Sequence, residues 1–286
     1  VAHLIAEDPE LSVAYEAIFG ALPDLSNESR FPEDARPDDD PDHPHELAWN
    51  AMRSEDREIV NVIFTNVTKS IAAFERLIVS RDSPFDEFAE AVLTGENLEG
   101  LDAISDSAAR GLKLFIGDGQ CHFCHAGPNF TNQEFSNIGL GPRDWLGSDD
   151  HGRMNGASIV LDNPFNGISA YSDAPEAATE QLAYLNIGSE LEGQFKVPTL
   201  RNVTTHPPYM HGGHFDTLDE CVNHYINSAE TPELGHREDI LQAPWSTVIS
   251  LSPETDLPDI VDFLETLTSS PLPTELTTQP DSPILD

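Results

Sequence analysis

Two cysteines and a histidine in the stretch GDGQCHFCHAGPNF form the clearest candidate for chemistry in this chain. Cys121, Cys124 and His125 have the spacing C-x-x-C-H, which is the attachment signature of c-type haem. In that chemistry two thiols add across the two vinyl groups of the porphyrin, and the histidine after the second cysteine becomes the proximal ligand of the iron. The spacing therefore predicts one covalently bound haem c, with His125 on the iron.

Zinc binding, dithiol redox chemistry and a structural disulfide are the alternatives to haem at this motif. Zinc usually takes four ligands, and the sequence has no second C-x-x-C and no histidine pair at a fixed spacing. A thioredoxin-like motif needs a βαβ context, which a helix followed by a Gly-rich loop does not supply. A disulfide between Cys121 and Cys124 stays open. Cys221 falls on an apolar helix face and is predicted to be a small core residue.

The charge of the chain is strongly acidic, which bears on its partners. The 286 residues include 51 Asp and Glu against 14 Lys and Arg, a formal net charge of −37. Such a charge argues against nucleic acid or an anionic membrane as a partner. Two interpretations stay open: an acidic solubilising surface, which is favoured, and an acidic docking face for a basic redox partner.

The length and the ends of the chain bear on its organisation and compartment. The chain is long enough for one large domain or two small ones. No apolar run reaches the length of a membrane span, so none is expected. No signal peptide is visible and the chain begins at Val1, as in a mature or cleaved product or a piece of something longer. Haem attachment of this type indicates a compartment outside the cytoplasm, most often the bacterial periplasm.

The first part of the chain is predicted to be helical around one acidic loop. A helix is expected over residues 1–22 and a solvated loop rich in Pro, Asp and Glu over residues 23–44. Residues 58–79 have apolar positions at spacings of three and four, which predicts an amphipathic helix. His43 and His45 in the loop are expected to be exposed histidines, with metal binding as the alternative.

The rest of the chain is predicted to position the motif with a few helices and long loops. Ser105 is expected to cap a helix that runs to about Ile116 and leads directly to the first cysteine. Residues 217–220 form a capping box that opens a second helix. A last helix starts near Ser252, and its predicted apolar face holds Leu257, Ile260, Val261, Leu264 and Leu267. Residues 126–215 have only weak helical signals. The fold class is therefore predicted to be mainly α.

Five longer stretches carry a resemblance to a known family. RGLKLFIGDGQCHFCHAGPNFTNQEFSNIGL, FKVPTLRNVTTHPPYMHGGHFDTLDECVNHY and DIVDFLETLT resemble the C-terminal haem domain of bacterial dihaem cytochrome c peroxidases and their MauG-like relatives. NVTKSIAAFERLIVSRDSPFDEF and VAHLIAEDPELSVAYEAIFG are similar to the end of the first haem domain in that family. The resemblance implies a cytochrome c-like haem domain with long loops and an extended tail at residues 101–286. It implies that residues 1–100 are the helical remainder of a first cytochrome c-like domain.

The chain departs from the family in its number of haem motifs. The family carries two haems, and its first C-x-x-C-H lies upstream of where this chain begins. In the family that first haem meets hydrogen peroxide, while the second collects electrons and passes them on. The resemblance implies that this chain holds the electron-transferring haem of a peroxidase-like oxidoreductase, with the peroxidatic haem and the catalytic residues on a missing or separate segment. A stand-alone monohaem electron-transfer protein is the alternative.

Tyr225 and Met210 are the main candidates for the second axial position on the iron. The resemblance places that ligand about sixteen residues after Tyr209, on Tyr225; peroxidases of the family have Met at this position and MauG-like members have Tyr. Phenolate stabilises Fe(III), whereas the thioether of Met210 would stabilise Fe(II). A packed helix tyrosine is the alternative for Tyr225. The remaining options, each more typical of a hydrogen-bonded or surface histidine, are His211, His214 and His224.

Further residues are candidates for contacts with the haem. Arg201, in PTLRN, would pair with a haem propionate because a guanidinium pairs bidentately with a carboxylate, and a surface salt bridge is the alternative. Pro128 and Phe130 are expected to wall the proximal side of the haem. Phe115 and Phe135 would cover haem faces or edges, with plain core packing as the alternative.

The resemblance also implies a second metal and several partners. The family has a calcium ion between its two haem domains, held partly by backbone carbonyls at positions that match His206 and Pro208, and calcium takes such neutral oxygens readily. Its third protein ligand lies upstream of this chain. The implied partners are the first-haem segment, a small periplasmic electron donor (a cytochrome c or a cupredoxin) and hydrogen peroxide. Dimers are common in the family, which makes a homodimer an expectation by analogy.

Overall fold

The fold is built from helices joined by long connections, as a computed structural model describes it for residues 1–95, 102–140, 150–227 and 249–278. Its contacts divide it into two units. The first holds residues 1–79 and 167–175 with the described tail from Pro273, and the second holds the described residues of 80–166 and 176–272. The predicted mainly α class is confirmed. No helix in the described ranges combines the length and apolarity needed to cross a membrane.

Short and medium helices make up most of the regular structure in the described residues. Two three-residue strands accompany them, β1 (Phe135–Asn137) and β2 (Gln194–Lys196). In chain order the helices are α1 (Ala2–Glu7), α2 (Pro9–Phe19), α3 (Pro44–Ala51), α4 (Ser54–Glu75), α5 (Pro84–Thr94), α6 (Asp106–Ile116), α7 (Arg153–Asp162), α8 (Pro175–Ala183), α9 (Leu218–Ile226), α10 (Asp256–Glu265) and α11 (Thr274–Thr277).

The single helix predicted over residues 1–22 is wrong, because the chain breaks at Asp8 and Pro9. Asp8 lies in an extended conformation and its carboxylate accepts hydrogen bonds from the backbone N–H groups of Glu10 (2.8 Å) and Leu11 (2.9 Å). Pro9 follows as the first residue of α2, where its missing N–H costs nothing. The pair therefore ends α1 and starts α2 within one step of the chain.

The first unit has its own hydrophobic core. α4 begins at Ser54, four residues earlier than predicted, and it ends at Glu75. The predicted acidic loop is present and ends where α3 starts at Pro44. The buried side chains that form this core are Ala2, Tyr15, Leu25, Phe31, Trp49, Met52 and Ile63.

A buried carboxylate joins the loop to the start of α4. The side chain of Asp56 is 1% exposed and accepts hydrogen bonds from Arg30 (Nη2 to Oδ1, 2.6 Å) and Arg53 (Nε to Oδ2, 2.9 Å). These hydrogen bonds lower the pKa of Asp56 to about 2. The ionised form is therefore favoured in the folded protein.

We expect Asp56→Asn to lower the melting temperature at pH 7 much more than at pH 2. A folded-state pKa below the unfolded value of about 3.9 stabilises the protein above pH 4, and this contribution is lost as the pH falls towards 2. The measurement is thermal unfolding of both proteins across pH 7 to 2. The control is Asp39→Asn, which removes the same charge from an exposed position and cancels the general effect of the acidic charge. A difference between Asp56→Asn and wild type that stays constant over this range would contradict the expectation.

In the second unit, α6 and α10 form the central helix pair. Ser105 caps α6 as predicted, because its hydroxyl accepts a hydrogen bond from the N–H of Ala108 at 3.0 Å. Gly111 faces α10 so closely that an added Cβ would lie 2.5 Å from the carbonyl carbon of Asp259 and 2.9 Å from the Cβ of Phe263. The core around this crossing consists of Phe115, Phe130, Leu218, Val222, Leu257, Ile260, Phe263, Leu264 and Leu267.

The long region predicted to have weak helical signals, residues 126–215, is more ordered than its sequence indicates. It contains α7 and α8 as well as both strands. β1 and β2 pair antiparallel, with Ser136 opposite Phe195. Because β1 follows the cysteine motif closely, this pairing fixes the chain on the far side of the motif.

Candidate haem-attachment site

α6 delivers the chain to the motif through a tight turn. The N–H of Gly117 donates to the carbonyl of Lys113 and that of Gly119 donates to the carbonyl of Leu114, both at 2.8 Å. A Cβ on Gly119 would lie 2.8 Å from the Leu114 oxygen and 3.3 Å from the sulfur of Cys121. Glycine at position 119 therefore lets the backbone pass directly beneath the first cysteine.

The three residues of the motif lie on one helical turn. The carbonyl of Cys121 accepts hydrogen bonds from the N–H groups of Cys124 (3.2 Å) and His125 (2.9 Å). Side chains three and four positions apart on such a turn lie on the same side. The two thiols and the imidazole are thus presented together.

The thiols of the motif are free and lie in surroundings that disfavour the thiolate. Cys121, Cys124 and Cys221 form no disulfide, and the first two are partly buried. Burial raises the pKa of Cys121 to about 12, and it raises the pKa of Cys124 against a hydrogen bond with Ser136 that lowers it. Redox-active dithiols need a depressed pKa, so this environment does not suit a thioredoxin-like role.

The imidazole of His125 has a fixed contact through one of its two nitrogens. Its Nδ1 lies 2.9 Å from the carbonyl oxygen of Phe130. Burial lowers the pKa of the imidazole, and the carbonyls of Phe130 and Pro198 oppose this effect. The net lowering of the pKa favours the neutral ring. When Nδ1 carries the proton and donates it to Phe130, Nε2 keeps the lone pair that a metal requires.

Tyr225 lies beside the cysteines, near the end of α9. Burial raises the pKa of its phenol well above the usual range, and Cys121, Cys221 and Cys124 each raise it further. The phenol is therefore within electrostatic range of both thiols of the motif. α9 starts at the predicted capping box, in which the Thr217 hydroxyl accepts from the Glu220 N–H and the Glu220 carboxylate accepts from the Thr217 N–H. The box fixes where α9 starts, and Tyr225 lies in its last turn.

Arg201 pairs with a protein carboxylate in this structure. Its guanidinium donates to both oxygens of Asp86, from Nη1 at 2.8 Å and Nη2 at 2.7 Å. Its Nε donates to the carbonyl of Pro128 at 2.7 Å. Arg201 therefore makes with Asp86 the bidentate pair that was expected with a haem propionate. A contact between Arg201 and a propionate stays a prediction.

Phe115 and Phe130 belong to an aromatic cluster in the core. Phe115 lies 5.1 Å from Phe263, and Phe130 lies 5.2 Å from Phe85, between ring centroids. Phe135 is covered by the guanidinium of Arg153, 4.4 Å from the ring centroid. These rings stabilise the walls of the site by packing on one another, and their contacts with haem stay predictions.

The segment with Met210 forms a separate compact turn. Met210 has a φ of +66°, and its carbonyl accepts from the N–H of Gly213 at 3.1 Å. Gly213 has a φ of +61°, and a Cβ there would lie 3.0 Å from Pro208. His206 lies 3.0 Å through its Nδ1 from the carbonyl of Asn202. Calcium binding by the carbonyls of His206 and Pro208 stays a prediction.

The other histidines near this turn have surroundings of their own. His224 is buried, with Nε2 2.9 Å from the carbonyl of Ile138. His211 stacks on Phe195 at 3.5 Å between ring centroids, and His214 lies 4.9 Å from His211. In the acidic loop, His43 caps α3 through the N–H of His45.

The motif residues fit a covalently bound haem. Both thiols are free, the imidazole can present Nε2, and a phenol lies close to the cysteines. In the parts of the chain that the structure describes, no group of three or more His, Cys, Asp or Glu side chains could hold a metal ion.

Sequence reasoning missed several residues that fix this site. Ser136 of β1 forms a hydrogen bond with Cys124, and Pro198, which lies far from the motif in sequence, is close to His125. Asp86 is separated from Arg201 by 115 residues. A buried arginine beside a capping-box aspartate has no local sequence signal, so only the tertiary fold reveals this pair.

No protein-family model matches the chain. Among curated proteins it is 30% identical over 207 residues to the methylamine utilization protein MauG of Methylorubrum extorquens, a match that covers 72% of this chain and 45% of that protein. It is 30% identical over 247 residues to the cytochrome-c peroxidase IdrP2 of Pseudomonas sp. (strain SCT), covering 82% of this chain and 55% of that protein.

A third relative and a solved structure extend the comparison. The chain is 28% identical over 204 residues to the cytochrome c peroxidase Ccp of Escherichia coli, covering 71% of this chain and 32% of that protein. A crystal structure of a MauG-like protein associated with microbial copper homeostasis aligns at a TM-score of 0.49 and 24% identity, covering 75% of this chain and 59% of that one. The chain spans about half the length of MauG and IdrP2. By these sequence matches, the chain belongs to the family of MauG and the bacterial cytochrome c peroxidases.

Proposed function

We propose that this chain is the electron-transferring haem c portion of a two-haem, peroxidase-like oxidoreductase, possessing the MauG-like tyrosine in place of the peroxidase methionine. The observation that carries the proposal is the single turn that presents Cys121, Cys124 and His125, with Tyr225 beside it. It occurs in a chain whose relatives are named cytochrome c peroxidases and MauG.

The chain's residues would divide the work of holding the cofactor. The thiols of Cys121 and Cys124 would each add S–H across one vinyl group, so that two thioether bonds tether the porphyrin. His125 would bind the iron through Nε2 while its Nδ1–H donates a hydrogen bond to the Phe130 carbonyl. Tyr225 would bind the iron as a phenolate. When bound, the haem supplies a one-electron Fe(III)/Fe(II) couple.

The partner haem would lie on a separate segment, next to the first unit. Residues 1–100 would then be the helical remainder of a first haem domain, and residues 101–286 the C-terminal haem domain. Exposed apolar side chains support this proposal, because a concentration of them is typical of a surface that another segment covers. They lie near the end of α4 and just after it, at Ile71, Phe74, Leu77 and Ile78.

The proposed reaction implies a compartment and partners for the protein. Electrons would enter from a small exported donor, a cytochrome c or a cupredoxin, and leave towards a haem that reduces hydrogen peroxide. The net charge of −37 would suit a donor with a basic face. We propose that the protein works outside the cytoplasm, where haem c is attached, and the calcium ion and homodimer of the family are part of the same proposal.

A monohaem electron carrier is the second candidate function. The observation that favours it is the single C-x-x-C-H among the 286 residues, which accounts for one haem only. Such a carrier would transfer electrons without reducing peroxide. The two candidates differ in the number of haems in the native assembly.

We expect the native assembly to contain two covalent haems for each copy of this chain. The measurement is the haem content by pyridine haemochrome, set against the mass of the intact assembly. Two haems would support the peroxidase-like enzyme. One haem per chain with nothing else bound would reject the enzyme and leave the carrier.

The same haem assay on cysteine variants tests the attachment site itself. We expect Cys121→Ser with Cys124→Ser to lose all covalent haem from this chain, because no thioether can form. Cys221→Ser is the matched control, since the third thiol is buried on α9 and should leave the haem content unchanged. Covalent haem that persists in the double variant would refute attachment at this motif.

A further inference from the structure

The loop after His125 is hydrogen-bonded to a second segment, residues 197–201. The hydroxyl of Thr131 donates to the carbonyl of Val197 and that of Thr199 donates to the carbonyl of Asn129, both at 2.6 Å. Arg201 adds the third link, from Nε to the carbonyl of Pro128. The three hydrogen bonds follow one another along the loop, so the two segments are held in register.

Arg201 links these two segments to α5 through its charge. Its side chain is only 9% exposed, and its two terminal nitrogens are paired with both oxygens of Asp86. Asp86 is itself fixed at the start of α5, where it forms a capping box with Ser83. The hydrogen bonds from Arg201 lower the pKa of Asp86 to about 2, so the pair stays ionised at neutral pH.

The anchored loop supplies the hydrogen-bond acceptor of the imidazole. Phe130 has a φ of +50°, a conformation that a residue with a side chain keeps only when its surroundings hold it. The Arg201 guanidinium lies 5.7 Å from the centroid of its ring, and Phe85 of α5 packs on it at 5.2 Å. The carbonyl of Phe130 is the one that accepts from Nδ1 of His125.

Arg201 acts on the Phe130 carbonyl through the loop that carries it. Its hydrogen bond to Pro128 lies two residues before Phe130, and the hydrogen bonds of Thr131 and Thr199 hold the same loop against residues 197–201. Of the three links, only that of Arg201 is tied to a further element, through Asp86 of α5.

We infer that Arg201, anchored by Asp86, is a positioning residue that sets the orientation and basicity of the iron ligand His125. This inference rests on the proposed haem attachment. A carbonyl held against Nδ1 makes an imidazole ligand more basic, and a more basic ligand stabilises Fe(III). The basicity of His125, and with it the reduction potential, would thus depend on an arginine that lies outside the motif.

Lysine cannot replace Arg201 in this role. The guanidinium makes three hydrogen bonds in fixed directions, two to Asp86 and one to Pro128. A lysine keeps the charge but has one rotatable ammonium group, which cannot hold both partners in the same geometry. Arg201→Lys therefore releases the loop while retaining the positive charge.

The test measures the reduction potential and ferric EPR spectrum of the haem-loaded full chain. In Arg201→Lys we expect the potential to rise, by up to a tenfold change in the Fe(III)/Fe(II) ratio or about 59 mV for one electron. The EPR g-values should shift with it. Arg110→Lys is the matched control, because Arg110 also pairs bidentately with an aspartate, Asp259, at 2.7 Å for each hydrogen bond. That control should lose stability without a shift in potential.

The possible outcomes separate the inference from the proposed function. A wild-type protein without covalent haem would sink the proposed function itself. Haem-loaded Arg201→Lys with an unchanged potential and EPR spectrum, or equal shifts in Arg201→Lys and Arg110→Lys, would overturn the inference alone. If Arg201→Lys does not yield folded protein, Asp86→Asn removes the anchor and leaves Arg201 in place. A rise in potential in that variant supports the inference, and an unchanged potential overturns it.

Discussion

Gly111→Ala is expected to destabilise the second unit by about 3 kcal/mol or more, the upper end of the cost of overpacking a core. An added Cβ would overlap the backbone carbonyl of Asp259, with the carbonyl carbon at 2.5 Å and the Cβ of Phe263 at 2.9 Å. Neither neighbour is the end of a flexible side chain. The new methyl group would therefore push α6 and α10 apart along their contact.

The polar links across the same contact increase the cost. Asp259 accepts hydrogen bonds from Ser107 and Arg110 of α6, so a change in helix separation would strain these bonds as well. The gain in helix propensity from glycine to alanine, about 1 kcal/mol, works in the opposite direction and is too small to offset the overlap. Urea or thermal unfolding followed by circular dichroism measures the net change.

Gly156→Ala supplies the matched control for this experiment. Gly156 lies inside α7, has no heavy atom within 4 Å of an added Cβ, and does not have a positive φ. Alanine there should be neutral or stabilising by up to about 1 kcal/mol. If Gly111→Ala and Gly156→Ala unfolded at the same temperature, the close approach of α6 and α10 would be refuted.

Local signals in the sequence predicted where helices start, but they did not predict which helices and loops contact one another. Ser105 and the capping box at Thr217 cap the predicted helices. Such caps can be predicted because a cap depends only on a side chain and the backbone two or three residues away. The break at Asp8 and Pro9 was missed, although an aspartate before a proline is itself a start signal. The apolar residues of α1 and α2 together resemble the pattern of one helix, so the start signal between them was overlooked.

Phe263 shows what periodicity alone left out of the core. It is fully buried and packs on three other phenylalanines, Phe85, Phe115 and Phe130. The predicted apolar face of the last helix included Ile260 and Leu267, which are three positions before it and four after it. The same spacing would have included Phe263.

The motif itself was accessible from sequence because its chemistry needs residues that are adjacent along the chain. The support around it was not accessible, since it comes from tertiary contacts: Asp86 of α5 pairs with Arg201, Ser136 of β1 contacts Cys124, and Pro198 is close to His125. Contacts of this kind have no period in the sequence. The role of Arg201 changes for the same reason: its type indicates a carboxylate partner, but only the fold identifies Asp86.

Tyr225→Phe is expected to raise the reduction potential of the haem by more than a tenfold change in the Fe(III)/Fe(II) ratio, about 59 mV for one electron. A phenolate ligand is an anionic oxygen, which stabilises Fe(III) more than Fe(II). Phenylalanine keeps the ring and removes only the hydroxyl, so packing on α9 is preserved. Because burial raises the pKa of this phenol, it would form a phenolate only against a strong positive charge such as ferric iron.

Tyr209→Phe is the control that separates ligation from the loss of any nearby hydroxyl. Tyr209 packs against the same core, and burial raises the pKa of its phenol too, but it lies sixteen residues before Tyr225 on another element. The measurement compares the ferric absorption spectrum and the potential of wild type and both variants. We expect both to change in Tyr225→Phe and neither in Tyr209→Phe. An unchanged spectrum and potential in Tyr225→Phe would remove the tyrosine from the iron and turn attention to the thioether of Met210.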